Sequence, residues 1–128
     1  MIGKVIYSIL SNNTAVAAIA SNRIFPVLAA ADAALPYVVY NQISRLPNAN
    51  KDRTKQVETY RVQLDAYAAT FDQASELADK INLALSFYNG TVSGIKVDII
   101  VFENENDNLD NETEIYKKSH DYMIRIKN

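Results

Sequence analysis

The sequence has no cysteine and no tryptophan, one histidine, three glycines and three prolines in 128 residues. Without cysteine there is no disulfide, no thiolate-bound zinc, no iron–sulfur cluster and no thiol nucleophile. One histidine, His120, does not build a multi-histidine metal site or a relay within one chain. Gly3, Gly90 and Gly94 are too few and too scattered for the glycine-rich turns that cradle phosphates, so phosphate-loop and dinucleotide signatures are absent. Long apolar runs are missing too: the longest spans residues 15–20, against the roughly 20 residues that cross a bilayer. The opening residues are partly apolar, but they include Lys4 and run into Asn12-Asn13-Thr14 without a basic start or a small-residue cleavage site. An unprocessed, cytosolic product with no membrane partner is therefore expected.

What is present is ordinary for a folded protein. Hydrophobic residues make up 48% and charged residues 22%, with a net charge of −2. That balance excludes extended disorder and a strongly basic nucleic-acid binder. The length fits one domain, 1–128, with a core that needs no covalent staple.

Periodicity then places the elements. Ile2, Val5, Ile6, Ile9 and Leu10 recur at helical spacing, and a second short helix follows over 15–19, with Thr14 able to cap it. Arg23-Ile24-Phe25-Pro26 is extended and stops at a proline, as an edge segment would. Residues 37–46 form the first long strand, in which Tyr37-Val38-Val39-Tyr40 is apolar enough to be covered on both faces. Residues 47–56 are polar and read as a loop or hairpin tip. Residues 57–68 alternate, with Tyr60, Val62, Leu64 and Ala66 on one face and Thr59, Arg61, Gln63 and Asp65 on the other, so a half-buried antiparallel strand is predicted. Thr70-Phe71-Asp72-Gln73 has the form of a capping box. The helix it opens carries the stripe Ala74, Leu77, Ala78, Ile81, Leu85 and Tyr88, and Asn89-Gly90 is the expected stop. Strands follow over 95–102, with Ile95, Val97, Ile99 and Val101 facing one way, and over 116–127, with Tyr122, Ile124 and Ile126 inward; the acidic stretch 103–114 between them reads as a loop. The predicted class is α+β: an antiparallel, at most mixed, sheet of about four strands, one long helix on a face and a short N-terminal helix pair.

Candidate chemistry is sparse. His120 and Asp121 are adjacent, but neighbours in a strand point to opposite faces, so a structural histidine without a facing partner is expected. Ser119 lies beside them without a nucleophile elbow. Glu103, Glu105, Asp107, Asp110, Glu112 and Glu114 are an acidic set that invites a cation, yet an EF-hand pattern started at Asp107 meets Glu112 where glycine is needed and Lys118 where the closing glutamate belongs. Lys51, Arg53 and Lys55 form a small basic cluster around Asp52, too thin for sequence-specific nucleic-acid binding. No catalytic, cofactor or metal residue is assigned. The partner-interface candidates are Lys51, Arg53 and Lys55 on one side and Asp107, Asp110 and Glu112 on the other.

The order of these segments carries a resemblance. Arg23-Ile24-Phe25-Pro26, Leu35-Pro36-Tyr37-Val38-Val39-Tyr40, Tyr60-Arg61-Val62-Gln63-Leu64-Asp65-Ala66-Tyr67, the helix over 71–85 and a closing Tyr122 to Ile126 strand together resemble the tail-completion and tail-terminator proteins of long-tailed bacteriophages over nearly the whole chain. The resemblance implies a non-enzymatic virion protein, assembled in the bacterial host cytoplasm. It implies a homo-oligomeric ring, usually a hexamer, on the head-proximal end of the tail tube, with the major tail-tube protein and a head-completion or connector protein as partners and DNA passing through the lumen. A connector or stopper in the same junction is one alternative. The other is a small ligand-binding module using Tyr37, Tyr40, Tyr60 or Tyr67, although Tyr60 and Tyr67 fall on opposite faces of their strand.

Overall fold

The computed structural model describes the backbone of residues 2–49 and 56–127, and the side chains of 2–46 and 57–127. Three helices, α1 (Ile2–Ser11), α2 (Thr14–Ala20) and α3 (Phe71–Leu85), pack with six strands, β1 (Ile24–Pro26), β2 (Tyr37–Ala49), β3 (Gln56–Ala68), β4 (Gly90–Val92), β5 (Ile95–Asp110) and β6 (Ile115–Lys127). The strands form one sheet in the order β1-β2-β3-β6-β5-β4, with β1 parallel to β2 and every other pair antiparallel. The α+β class holds and the sheet is mixed, within the expectation, but it has six strands among the described residues rather than about four. The extended edge segment expected at 23–26 is β1, and the unforeseen addition is the three-residue edge strand β4, too short to show a period.

The alternation in β3 dictates the core. Tyr60, Val62, Leu64, Ala66 and Ala68 are buried on one face, against the α3 stripe of Ala74, Leu77, Ala78, Ile81 and Leu85. From α1, Ile2, Val5, Ile6 and Leu10 complete the helical layer, and Tyr122, Ile124 and Ile126 of β6 continue the floor. β3 pairs with β6 from Val57↔Lys127 to Ala68↔Tyr116 without a bulge, so one parity governs both central strands.

Four local expectations are corrected. The helix before β1 is capped by Asn13, whose Oδ1 accepts the Val16 N–H at 3.0 Å, one residue earlier than Thr14; asparagine is the stronger cap. Thr70 does cap α3, accepting the Gln73 N–H at 3.2 Å, but the helix ends at Leu85, short of Asn89-Gly90. There the Ser86 N–H closes the last turn on the Asn82 carbonyl, and Phe87, at φ 62°, gives its N–H to the Ile100 carbonyl at 2.8 Å, drawing the chain toward the sheet and freeing Gly90 to start β4. In β5 a bulge between Val97 and Ile99 shifts the parity, so Val97 and Ile100 are buried while Ile99 and Val101 are only half-buried. Finally, 103–110 is strand rather than loop, and only 111–114 turns.

Leu64 is 1% exposed at the centre of this core. Leu64→Ala should cost about 2 to 5 kcal/mol in a denaturant melt, the range for large buried truncations. A loss within about 0.5 kcal/mol, typical of surface sites, would place β3 in the other register.

Candidate assembly surfaces

The acidic stretch becomes a ladder because β6 supplies its partners. Glu105 lies opposite His120 and Asp107 opposite Lys118. Lys118 Nζ reaches Glu105 at 3.2 Å and Asp107 at 3.5 Å, donates to Ser75 Oγ at 3.3 Å and sits 5.2 Å from the centre of the Phe71 ring. Arg61 donates to Glu103 at 3.0 Å across the sheet. Asp110 turns inward on its own loop, accepting the Glu112 and Thr113 N–H groups at 3.0 and 3.5 Å. Of the six acids, Asp110, Glu112 and Glu114 have no salt-bridge partner among the described residues. No group of three or more His, Asp or Glu side chains among the described residues is placed to hold a metal ion.

His120 has the facing partner that the sequence reading denied it. It is 2% exposed, with Nε2 2.7 Å from Glu105 Oε2 and Nδ1 3.0 Å from the Tyr122 hydroxyl. The Tyr122 hydroxyl donates to Asn82 Oδ1 at 3.1 Å, and Ser86 donates to the same oxygen at 2.6 Å. A polar chain thus runs from the acidic strand through the core to the end of α3. Phe102 closes it, edge-on to His120 at 4.9 Å and to Tyr122 at 5.7 Å. Ser119 donates to buried Asp65 at 2.5 Å, and Asp121 belongs to the opposite face of β6 from His120. The geometry fastens β5 to β6 and α3. Burial pushes the Glu105 carboxyl up, but hydrogen bonds from His120 and Lys118 and their charges outweigh it, holding its pKa below the ordinary glutamate value. Burial, and then the charge of Glu105, push the Tyr122 phenol up.

A second polar pair stands on β2 and β3. Arg45 pairs with Glu58, which also accepts the Tyr60 hydroxyl at 2.9 Å, and the Arg45 guanidinium lies 5.6 Å from the Tyr60 ring centre. The hydrogen bond from Arg45 is the main reason the Glu58 pKa is lowered.

The tyrosines do not converge. Tyr60 is in the core and half-buried Tyr40 packs against Gly3, whereas Tyr37 and Tyr67 stack at 4.9 Å on the helix-free face. They line an open groove of about 400 Å³ with Leu109, Asp110, Ile115 and Lys117, and burial pushes the Tyr67 phenol up to about 12. Lys51, Arg53 and Lys55 lie outside the described residues. β2 ends at Ala49 and β3 begins at Gln56, at the end of the sheet that carries Lys96 and Lys127; the 111–114 turn is at the opposite end. The Glu105–His120 contact had a visible signal: Glu103, Glu105 and Asp107 alternate with Asn104, Asn106 and Asn108, a period of two hidden by low strand propensity.

The described residues thus form a small α+β fold with long paired hairpins whose polar groups are engaged with one another. The family model for tail completion protein gp17 matches residues 4–127, and the chain belongs to that family of structural bacteriophage tail proteins. Its fold is shared with a chain from a structure titled virion of native gene transfer agent particle, at TM-score 0.77 and 14% identity, covering 96% of this chain and 92% of that one. Comparison with curated proteins gives no match.

Two outcomes follow from the polar clusters. His120→Ala, which leaves Glu105 and Tyr122 short of a partner, should lower unfolding free energy by about 1 to 3 kcal/mol; an unchanged melt would make the chain of contacts incidental. Glu58 and Glu105 have folded pKa values below their unfolded ones, so the stability they confer is present above the unfolded value and lost as pH falls through the folded one. Urea midpoints should drop between about pH 5 and pH 3, and Glu58→Gln should flatten that dependence.

Proposed function

We propose that this protein is the tail terminator of a phage-like particle: a non-enzymatic subunit that forms a ring, with six copies as the expected number, on the head-proximal end of the tail tube. The ring stops tube growth and presents the surface to which the head docks. Family membership over residues 4–127 is the observation that carries this reading. The fold shared with a virion chain supports it, and assembly with tail-tube and head-connector proteins follows from it. The mechanism is steric: one face matches the last layer of the tube, and the other offers no template for a further layer. Different surfaces must meet between copies for such a ring to close.

The charge distribution suits that requirement. Lys51, Arg53 and Lys55 belong to the connection between β2 and β3, and the acids belong to the β5–β6 hairpin. Adjacent copies therefore attract when unlike hairpins meet and repel when like ones do. Within the acidic hairpin, Lys118 reaches Asp107 and the turn's own N–H groups reach Asp110. Such complementarity chiefly speeds encounter and fixes register, and it is screened over about 8 Å at physiological salt.

Native mass spectrometry of the protein, alone and with purified tail-tube protein, should show a closed ring of one size bound to the tube component. Raising the salt should slow ring formation. Reversing Lys51, Arg53 and Lys55 to glutamate should block it, with an unchanged unfolding curve showing that the monomer still folds. A strict monomer that ignores the tube protein, yet binds a connector, would instead identify a stopper of the same junction.

A further inference from the structure

The two outer long strands of the sheet, β2 and β5, are each covered over only part of their length. β1 covers β2 from Val38 to Tyr40, and Val27 adds one bond to the Tyr40 carbonyl. β4 covers β5 from Ile95 to Val97, and Phe87 and Asn89 reach the Ile100 and Asp98 carbonyls. Beyond these points no strand pairs with the outer edge of either among the described residues: residues 41–49 of β2 and 102–110 of β5 are bare. Bare edges of this length are ready templates for the addition of another strand.

The backbone bonds fix which groups point outward. Val38 and Tyr40 bond outward to β1, so Gln42 continues that set, and the bulge between Gln42 and Ser44 passes it to Arg45 and Pro47. On β5, Ile100 bonds outward, so Phe102 follows, and the bulge between Phe102 and Asn104 passes the set to Glu105, Asp107 and Leu109. The chemistry of the two edges differs. β5 presents Glu105 and Asp107, which disfavours pairing with a second β5; described residues 41–46 of β2 hold no acid and one cation, Arg45.

We infer that the bare edge of β5 in one copy pairs, antiparallel, with the bare edge of β2 in the next, Asp107 lying opposite Arg45, so that the sheet runs on from subunit to subunit. This deepens the ring reading above and rests on it. Direction permits it, since β2, β3, β6 and β5 alternate and a rotated copy brings β2 beside β5 with opposite sense. Position permits it as well: the incoming β5 takes up β2 where β1 leaves it, and the incoming β2 takes up β5 where β4 and Phe87 leave it. Pro47 brings no N–H to the ladder, so its carbonyl alone accepts from Glu105 of the neighbouring copy.

The required stagger is also that of a closed sheet. Asp107, Lys118, Ala66 and Val38 share one row, and Arg45 lies seven positions beyond Val38, one of them the Ile43 bulge. The resulting six steps amount to about 20 Å at about 3.4 Å each, against about 19 Å for four strand spacings. Strands tilted by roughly 45° to the ring axis meet that ratio, at the upper end of the range for closed barrels.

The chain has no cysteine, so the test is clean. Arg45→Cys and Asp107→Cys combined should, on mild oxidation of assembled protein, give a ladder of covalent oligomers up to the ring, and neither single variant should. Directly opposed strand residues are within disulfide reach. In unsubstituted protein the amides of Glu105, Asp107 and Leu109 should exchange at least about tenfold more slowly in the ring than in dilute monomer. A ring that forms without the cross-link and without that protection would overturn the edge pairing and leave the ring reading standing. Absence of any ring, alone or on tail-tube protein, would overturn both.

Discussion

The unbroken β3–β6 ladder is the constraint on which the rest of the molecule hangs. Twelve consecutive pairs from Val57↔Lys127 to Ala68↔Tyr116 tie the two central strands to one parity. That parity sends Tyr60, Val62 and Leu64 together with Tyr122, Ile124 and Ile126 into the helical layer. A slip of one residue would turn Arg61, Gln63 and Arg125 inward, at a cost no neighbouring contact offsets. The same parity sets His120 beside Tyr122 at the margin of the core and Ser119 beside Asp65 on the other face. Irregularity is kept to the outer strands, with bulges between Gln42 and Ser44 in β2 and at two places in β5.

Charge and burial are reconciled in the same way throughout. Glu58, Asp65 and His120 are buried, and each has hydrogen-bond partners; among the described residues no buried side-chain polar atom is left unsatisfied. The acidic hairpin follows suit. Glu103, Glu105 and Asp107 find partners in Arg61, Lys118 and His120 on the neighbouring strands, which lets nine successive exposed residues, 102–110, stay in strand geometry. The hairpin thereby extends the sheet beyond the core in a fixed register.

Much of this was legible in the sequence, and the exceptions have physical causes. β3 and α3 were readable because burial on one face imposes a period, and the Thr70 cap because its hydroxyl has one local partner. The distal half of β5 was not, since Asn, Asp and Glu have low strand propensity and what holds them is a set of cations on β6 and β3. The partner of His120 depends on the same strand, since a loop over 103–114 gives Glu105 no fixed place. Edge strand β4 and the bulges are set by tertiary contacts that leave no period behind, whereas β1 was marked by its closing proline. The family resemblance survived these errors because it rests on the order of elements and not on their ends. Of the candidate interface residues, Asp107 and Asp110 carry internal partners, Glu112 has no side-chain partner among the described residues, and Lys51, Arg53 and Lys55 fall outside them.

A terminator works by geometry, so its central property is where it binds and what happens to the polymer beneath it. Electron microscopy of tail-tube protein polymerising with and without this protein addresses both at once. The proposed function predicts rings of one diameter on a single end of each tube, and tubes that cease to lengthen at that end once capped. Protein bound along the tube walls, or tubes that lengthen unhindered past it, would contradict it.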